Sequence, residues 1–436
     1  MNFKRFSLGK FVEFFARIPT RSRRRLLAYS PLAFISILGP GLIAASAGNE
    51  ASGIATYSFA GANFGYTLLW AFIPMTLFFI LAQEMCIRMG VVTGQGLSDL
   101  IRENFGVRWT AFVMLALVVA NSGIVIAQFV GIAQASELLG VPRYITVPVA
   151  ALGIWWLVVR GTPKRIEQIF LLMSLIFVTY IVAAFAAKPD WVEIGSSFVK
   201  PTLSFEPGFL FTLTALIGTT ITPFMPIFLQ SSVVEKGLGA EDLGKSRANA
   251  IFGVVFANIV ALFIVIATAA TVHHKSLGLN ETSDLAQAFL PVFGEYAKYL
   301  FAVGLLGASM LAMGVLPIAT AYSVTEALGF EKGLSRSFRE APIFLGMFTA
   351  LIVIGAVVAL IPQIDQIRLL VMTQFVNGLL LPILLAAIVL LSSNRELMGE
   401  HVNGRLHKTV AWLMTLILGT LSAVLIARGL IEMLGS

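Results

Sequence analysis

A single carboxylate stands in the middle of the first long apolar segment of the chain. Glu50 is flanked on both sides by weakly polar or apolar residues, in the stretch GPGLIAASAGNEASGIATYSFAG. A helix of about 20 residues spans the hydrocarbon of a bilayer, so Glu50 is predicted near the midplane, where a charge usually faces a cavity or a partner. The small residues Gly48 and Gly53 would allow the helix to unwind and offer free carbonyls. The pattern predicts a binding site on a broken helix; the alternative is a protonated acid that only packs between helices.

A second interruption, TTITPFMP, carries oxygen ligands but no acid. Pro223 and Pro226 remove two backbone donors and free carbonyls of the preceding turn, and Thr219 and Thr222 add hydroxyl groups. Carbonyls at the C-terminal end of a half-helix carry negative partial charge. Together with Glu50, this set would form an oxygen-rich, net-negative site that suits a hard cation such as Mg2+ or Mn2+.

The composition is that of a helical protein embedded in a bilayer. Of the 436 residues, 58% are hydrophobic and 12% are charged, whereas soluble domains have about 25% charged residues. The single cysteine, Cys86, excludes an internal disulfide and a thiolate metal cluster. The sequence shows no nucleophile–base pair and no cofactor motif, so we expect neither an enzyme nor a resident cofactor.

The basic residues predict how the chain lies in the membrane. Residues 1–30 form a basic segment, which we interpret as an amphipathic helix on the cytoplasmic membrane surface, with a disordered tail as the alternative. This segment accounts for the net charge of +7, so the charge indicates no nucleic-acid partner. With a cytoplasmic N-terminus, most of the 30 lysine and arginine residues fall on the inside, which favours that orientation.

Apolar segments predict eleven membrane-spanning helices in one domain, residues 31–436. The spans are predicted at 31–60, 66–90, 109–138, 144–160, 165–187, 208–234, 246–272, 296–325, 343–361, 366–391 and 408–432. The first and sixth are interrupted, and because they are five spans apart, the two halves that contain them insert with opposite orientation. Matched broken helices in inverted halves indicate a transporter with its substrate site at the repeat interface. An odd number of spans places the C-terminus outside.

The first spans resemble a known family. The stretch GPGLIAASAGNEASGIATYSFAGANFGY, the LLW that follows it and the GVVTG of residues 90–94 are similar to the NRAMP family of divalent metal transporters. The similarity extends through the tenth span. It implies an all-α, LeuT-type fold, with two inverted five-helix repeats at residues 31–187 and 208–391 and an extra helix at 408–432.

The resemblance also implies metal ligands, several of which depart from the family pattern. The family's metal-binding Asp falls on Glu50, and its Asn ligand falls on Gly53, where no side-chain ligand is available. In the sixth span, the alanine whose carbonyl binds metal falls on Thr219, and the methionine falls on Thr222. The tenth-span glutamine is retained as Gln374.

The proton route of the family is altered as well. Its third-span acids fall on Val125 and Gln128, and its sixth-span histidines fall on Phe224 and near Gln230, so no titratable relay remains near Glu50. Gln128 could instead serve only as a hydrogen bonder between helices. The pattern most resembles the NRAMP-related magnesium transporters, which lack the methionine and are thought to move hydrated Mg2+ and Mn2+ without proton coupling.

We therefore predict a divalent cation transporter for Mg2+ and Mn2+ in the inner or plasma membrane, with a cytoplasmic N-terminus. The predicted metal ligands are Glu50, Gly53, Thr219, Thr222, Asn49 and Gln374. For Asn49 two interpretations stay open, a side-chain ligand or a cap on the second half-helix. The alternatives for the whole chain are a carrier of a cationic or zwitterionic organic molecule, or a proton-coupled Mn2+/Fe2+ transporter. In the predicted mechanism, the first and sixth spans and their neighbours rock against the rest and expose the partly hydrated ion alternately.

Overall fold

Helices joined by short connections make up the described part of the chain. The computed structural model describes residues 45–161, 177–273, 297–334, 336–361 and 366–435, together with residues 43, 169 and 294. The helices, numbered in chain order, are α1 (Ala51–Phe64), α2 (Phe72–Thr93), α3 (Leu97–Leu138), α4 (Arg143–Arg160), α5 (Val178–Ala186), α6 (Trp191–Val199), α7 (Pro207–Thr220), α8 (Phe224–Glu235), α9 (Leu243–Thr271), α10 (Ala297–Leu328), α11 (Pro342–Ala359), α12 (Gln366–Ser392), α13 (Arg395–Met398) and α14 (Arg405–Gly435). Short 3-10 turns lie at Ala47–Asn49, Leu69–Ala71, Ala240–Asp242 and Gly399–His401.

Nine stretches within the described ranges are long and apolar enough to cross a bilayer. They correspond to the second, third and fourth predicted spans and to the sixth through the eleventh. The first predicted span begins outside the described residues, as does the fifth, and the basic segment 1–30 lies wholly outside them. Lipid offers no partner for backbone N–H and C=O groups, so apolar sequence of this length folds into helices that satisfy them internally. The prediction of an all-α membrane protein is confirmed.

The first predicted interruption is present at Glu50. A 3-10 turn, Ala47–Asn49, ends there, Glu50 has extended backbone angles (φ −69°, ψ −180°), and α1 begins at the next residue. Its side chain makes no capping hydrogen bond to the described backbone of α1. The carboxylate is therefore left for partners on other helices.

The second interruption separates α7 from α8. Helix α7 ends at Thr220, Ile221 departs from helical angles (φ −122°, ψ 62°), and α8 begins at Phe224, directly after Pro223. Pro226 lies inside the first turn of α8, where a missing N–H breaks no helical hydrogen bond. The prediction that both prolines interrupt the helix is thus right for Pro223 and wrong for Pro226.

The third span is preceded by a helical stretch that hydropathy did not predict. Helix α3 begins at Leu97, well before the predicted start of the span at residue 109. Gly106 interrupts it with a left-handed conformation (φ 79°), which a residue without a Cβ adopts at little cost. The stretch before Gly106 is therefore a separate helical segment that leads into the span.

The predicted connection 188–207 also contains a helix, α6. Its first turn is capped by Asp190, whose carboxylate accepts hydrogen bonds from the N–H groups of Val192 and Glu193 at 2.9 and 3.1 Å. Such a cap satisfies amides that the helix itself leaves unpaired. The search for apolar segments missed this element because it is too short to span a membrane.

Close backbone packing fixes the second broken helix against α12. A Cβ added to Gly218 of α7 would collide with the carbonyl oxygen of Gln374 and with the backbone of Gly378, both on α12. A Cβ at Gly378 would in turn collide with the carbonyl oxygen of Thr214 on α7. Small residues permit this approach of two membrane helices. The packing brings Gln374 to the level of the break.

Candidate functional site

Glu50 is enclosed by protein, with only 1% of its surface exposed. Amide groups from two different helices reach its two oxygens: Nε2 of Gln128 on α3 donates to Oε2, and Nε2 of Gln374 on α12 donates to Oε1 at 2.5 Å. An ionised carboxylate only accepts hydrogen bonds, so two donors on two oxygens suit that form. No lysine, arginine or histidine in the described ranges forms an ion pair with Glu50.

The orientation of the Gln128 amide is set by the start of α1. Its Oε1 accepts a hydrogen bond from the backbone N–H of Ala51 at 3.1 Å. Because a carbonyl oxygen must face that N–H group, the NH2 group of Gln128 is turned to Glu50. Gln128 therefore both satisfies a free amide at the helix start and holds the carboxylate in place.

The Gln374 amide is oriented by a second amide on the same helix. Nδ2 of Asn377 donates to Oε1 of Gln374 at 3.2 Å, which leaves the Gln374 NH2 group for Glu50. Both residues are fully buried. A chain of two amides thus leads from the interior of α12 to the carboxylate.

The two breaks touch each other beside Glu50. A Cβ added to Gly53 would lie 3.0 Å from Oγ1 of Thr219 and would collide with the carbonyl oxygen of Gly48. The hydroxyl of Thr222 donates to the carbonyl oxygen of Thr219 at 3.0 Å. That carbonyl oxygen lies 3.3 Å from the position a Gly48 Cβ would take. At Gly53 the carbonyl oxygen of Gly48 leaves no room for a side chain, and at Gly48 the methyl group of Met225 occupies the place that a Cβ would take.

Asn49 lies directly before Glu50, but its side-chain amide turns away to α9. Nδ2 of Asn49 donates to the carbonyl oxygen of Ala257 at 3.0 Å. It makes no capping hydrogen bond to α1 within the described residues, so the interpretation of Asn49 as a cap is wrong. The observed bond ties the first break to α9. The role of Asn49 as a ligand stays a prediction.

The junction carries one formal negative charge and several neutral oxygens. Among the described residues, no group of three or more His, Cys, Asp or Glu side chains could hold a metal ion. A buried charge is costly unless an opposite charge compensates it. The described basic side chains do not reach Glu50, so within the described structure its carboxylate is met by the amides of Gln128 and Gln374 and not by an opposite charge.

Comparisons with known proteins agree with this architecture. Residues 41–428 match the family model described as natural resistance-associated macrophage protein-like (Nramp). The chain is 26% identical over 420 residues to the divalent metal cation transporter MntH of Deinococcus radiodurans, covering 93% of this chain and 91% of that protein. The manganese transporter of Eremococcus coleocola superposes with a TM-score of 0.75 at 18% identity, over 93% of this chain and 88% of that one. MhsT, solved with L-phenylalanine, superposes with a TM-score of 0.60 at 15% identity, over 89% and 97%.

Two matched helix breaks around a buried carboxylate, on this set of helices, define a multi-pass membrane protein of the LeuT fold. The predicted fold of two inverted five-helix repeats with an added helix is thereby confirmed. Within that class, the family match over most of the chain is decisive. The chain belongs to the Nramp family.

The structure gathers most of the predicted ligands around one point. Glu50 and Gln374 are hydrogen-bonded, Gly53 lies against Thr219, and Thr222 is bonded to the Thr219 carbonyl. Their role in binding a metal stays a prediction.

Gln128 was not among the predicted ligands, yet it contacts Glu50 directly. The signal was present in the sequence, because Gln128 falls where the family has a third-span acid. Asn377 is a second residue of the site that the predicted ligand set lacks, and its amide reaches Glu50 through Gln374.

Proposed function

We propose that the chain carries divalent cations, Mg2+ and Mn2+ first, across the cytoplasmic membrane without coupling to protons. The observation that supports this most strongly is a buried carboxylate at the meeting point of two broken helices, held by neutral amides and unpaired with any described basic residue. A dication between the breaks would supply the missing positive charge. Divalent metal cations are what the MntH relatives are named for.

The preference for hard cations follows from the donors at the junction. Thr222 offers a hydroxyl where the family has a thioether, and sulfur ligands favour soft transition metals over Mg2+. The candidate oxygen donors are the Glu50 carboxylate, the Thr219 carbonyl and the Gln374 amide. The sulfur of Met225 lies 3.6 Å from the place a Gly48 Cβ would take, with its methyl group closer to Gly48 than the sulfur. Mg2+ dehydrates reluctantly and keeps several waters. A site with one carboxylate suits an ion that enters partly hydrated.

The groups around the carboxylate support transport without proton coupling. The two groups that contact its oxygens in the described structure, Gln128 and Gln374, are amides that do not titrate. Val125, one turn before Gln128, is apolar and buried. With no second acid or histidine in contact with Glu50 among the described residues, a proton has no relay beside the cation. Membrane potential and the ion gradient would then drive uptake.

Transport by purified protein in liposomes tests the proposal. We expect wild type to take up Mg2+ and Mn2+ in response to an inside-negative potential, with no change in an internal pH dye. Glu50→Gln should reduce uptake by roughly tenfold or more, because it removes the one charge that attracts the ion through a low-dielectric environment.

Different outcomes contradict different parts of the proposal. Mn2+ uptake accompanied by proton entry would refute the uncoupled mechanism and favour a proton-coupled metal transporter. Undiminished uptake by Glu50→Gln would refute the site. Uptake of a labelled organic amine, with no uptake of either metal, would show that the scaffold serves another class of solute.

The excess of basic residues in the predicted inner loops supports a cytoplasmic N-terminus and an external C-terminus. In this orientation, α8 runs from the site towards the cytoplasm, and α7 runs from the outer surface to the site. A reporter fused to the C-terminus that is active only outside the cell would agree with this orientation, and one active only in the cytoplasm would contradict it.

A further inference from the structure

We infer that Asn377 is a positioning residue whose amide turns over together with that of Gln374 when a cation binds at Glu50. The inference rests on the proposed function and extends it to a residue that touches neither the carboxylate nor the predicted ion. In the present structure, Asn377 donates to Gln374, and Gln374 donates to Glu50.

The orientation of the Gln374 amide opposes a cation at Glu50. The NH2 group of Gln374 lies 2.5 Å from Oε1 of Glu50 and presents the positive end of its dipole to the carboxylate. A cation bound to that oxygen would meet the same NH2 group as a repulsive neighbour. For Gln374 to act as a ligand, its amide must rotate and present its carbonyl oxygen instead.

Rotation of Gln374 alone would create a conflict behind it. Its NH2 group would then face Asn377, which now presents its own NH2 group. Two donors cannot form a hydrogen bond, and leaving either unpaired in a buried site costs about 1–3 kcal/mol. The conflict disappears if the Asn377 amide also turns and offers its oxygen.

A second observation on Asn377 supports this alternative. Its side chain is fully buried, and its Oδ1 atom has no hydrogen-bond partner among the described residues. Buried polar atoms are nearly always paired, so an unpaired carbonyl oxygen in a protein interior requires an explanation. In the turned arrangement, this oxygen would accept the Gln374 NH2 group.

Asparagine is suited to this position because an amide can donate in one arrangement and accept in the other. Leucine has a similar size and can do neither, whereas aspartate can only accept. Asn377→Leu should therefore weaken cation binding. Asn377→Asp should favour the arrangement in which the Gln374 carbonyl faces the ion.

The test is a double-mutant cycle on Mn2+ uptake in liposomes. We expect Asn377→Leu to raise KM several-fold with a smaller effect on kcat, and Asn377→Asp to leave KM unchanged or lower it. In a Gln374→Ala background, both substitutions should lose their effect on KM, since Asn377 acts through the amide that is missing there. Non-additivity of this kind isolates coupling between two residues.

A matched control is available on α3. Asn121 is also fully buried, donates to Oγ1 of Thr320 at 2.9 Å, and carries an Oδ1 atom without a partner in the described structure. Asn121→Leu removes a similar amide from a helix contact that does not involve Gln374. Its effect on KM, whatever its size, should add to that of Gln374→Ala. Thermal unfolding of each variant in detergent identifies any that fails to fold.

The possible results separate the two proposals. If Asn377→Leu changes KM equally in wild type and in Gln374→Ala, the inference about Asn377 is overturned. The same holds if Asn377→Asp still lowers KM in the Gln374→Ala background, because its charge would then act without the Gln374 amide. If Glu50→Gln transports normally, the cation site itself is overturned. Loss of transport in Glu50→Gln with full additivity at Asn377 would leave the site standing without the coupled rotation.

Discussion

At the scale of single residues, Gln128 is the neutral group that, under the proposed function, leaves Glu50 without a second acid to share a proton. Its oxygen is bound by the N–H of Ala51, so its NH2 group faces Glu50. In Gln128→Glu, one carboxyl oxygen would keep the Ala51 bond and the other would confront the Glu50 carboxylate. Two carboxylates in contact cannot both be ionised, and the pair retains a proton.

We expect Gln128→Glu to make cation uptake dependent on pH. A dication that binds between the two carboxylates displaces the shared proton, so uptake should rise from mildly acidic to mildly alkaline pH. Wild-type uptake should change little over the same range. Liposome assays of Mn2+ uptake at a series of pH values measure the difference.

Gln128→Met serves as the control because it removes the amide without adding an acid. It should lower uptake at every pH without introducing a slope. A Gln128→Glu variant with the flat profile of wild type would show that residue 128 does not share the cation's environment.

The residues of the site were foreseen unevenly, and the reason is physical. Glu50 could be predicted because an acid amid apolar residues is costly in lipid and so indicates a partner. The contact of Gln128 with Glu50 and the amide pair of α12 could not be predicted, because neutral amides within membrane helices usually serve as hydrogen-bond links between helices. Which atom of an amide faces which neighbour depends on three-dimensional contacts such as that with Ala51.

At the scale of helices, the approach of the two breaks depends on glycine. A Cβ at Gly53 would collide with the Gly48 carbonyl and crowd Oγ1 of Thr219 at 3.0 Å. Gly53→Ala should push α1 away from the end of α7, at a cost typical of overpacking, about 1–3 kcal/mol. We expect a severe loss of Mn2+ uptake with only a modest fall in the thermal unfolding temperature.

Gly153 on α4 provides the comparison for Gly53. A Cβ added there meets no atom within 4 Å among the described residues, and alanine is the better helix former. Gly153→Ala should keep both uptake and stability. Equal uptake by Gly53→Ala and Gly153→Ala would mean that the close contact between the breaks is not required for transport.

The helices themselves were predicted better than their ends. Long apolar stretches specify spans, and a lone carboxylate or a Pro223 inside one specifies a break, so these features appear where expected. The polar start of α3 and the short helix α6 were missed, because the search was for long apolar stretches. The first is polar and is separated from the span by Gly106, and the second is short and begins at the capping Asp190. Pro226 was misassigned because proline is tolerated in a first turn.

At the scale of the molecule, the two sides of the site are closed by different kinds of contact. On one side, α1, α7 and α12 meet in an apolar cluster; its members are Ala215, Ile367, Val371, Phe59, Phe211 and Phe375. Phe211 and Phe375 stack with ring centroids 4.7 Å apart. Under the proposed orientation, this cluster lies between the cation site and the outside.

On the other side, which the proposed orientation places towards the cytoplasm, hydrogen bonds to two glutamates tie α8 to α10 and to the loop after it. Glu326 at the end of α10 accepts from the Ser231 hydroxyl of α8 at 2.7 Å and pairs with Lys332 at 3.3 Å. Glu235 at the end of α8 accepts from the hydroxyl of Tyr322 on α10 and from the N–H of Leu334 at 2.7 Å. We call this set the α8–α10 latch.

A cluster of ion pairs at the same end links α2 to α9 and does not include α10. Helix α2 packs with α8, and α9 packs with α1. Glu84 on α2 pairs with Arg88 at 3.0 Å on the same helix and with Arg247 of α9 at 2.6 Å. Helix α2 packs on α8, since a Cβ at Gly90 would lie 3.2 Å from the side chain of Gln230. If the broken helices rock with their neighbours, this cluster moves as a unit, whereas the latch must break.

Breaking the latch should therefore favour the state that is open to the cytoplasm. Tyr322→Phe removes a hydrogen bond to a carboxylate, worth about 1.5–3 kcal/mol, which corresponds to a shift of roughly tenfold to a hundredfold in the equilibrium between closed and open states. Thr222→Cys in a Cys86→Ser background reports on that opening, because residue 222 is buried in the present structure. In inside-out vesicles, we expect a membrane-impermeant maleimide to label it faster when Tyr322→Phe is present.

The matched control is Glu84→Gln, which weakens an ionic cluster at the same end of the molecule without touching α10. It should leave the labelling rate at position 222 close to that of the parent, because both partners of the lost ion pairs belong to helices that move together. If Glu84→Gln speeds the labelling and Tyr322→Phe leaves its rate unchanged, the assignment of moving and fixed helices is reversed.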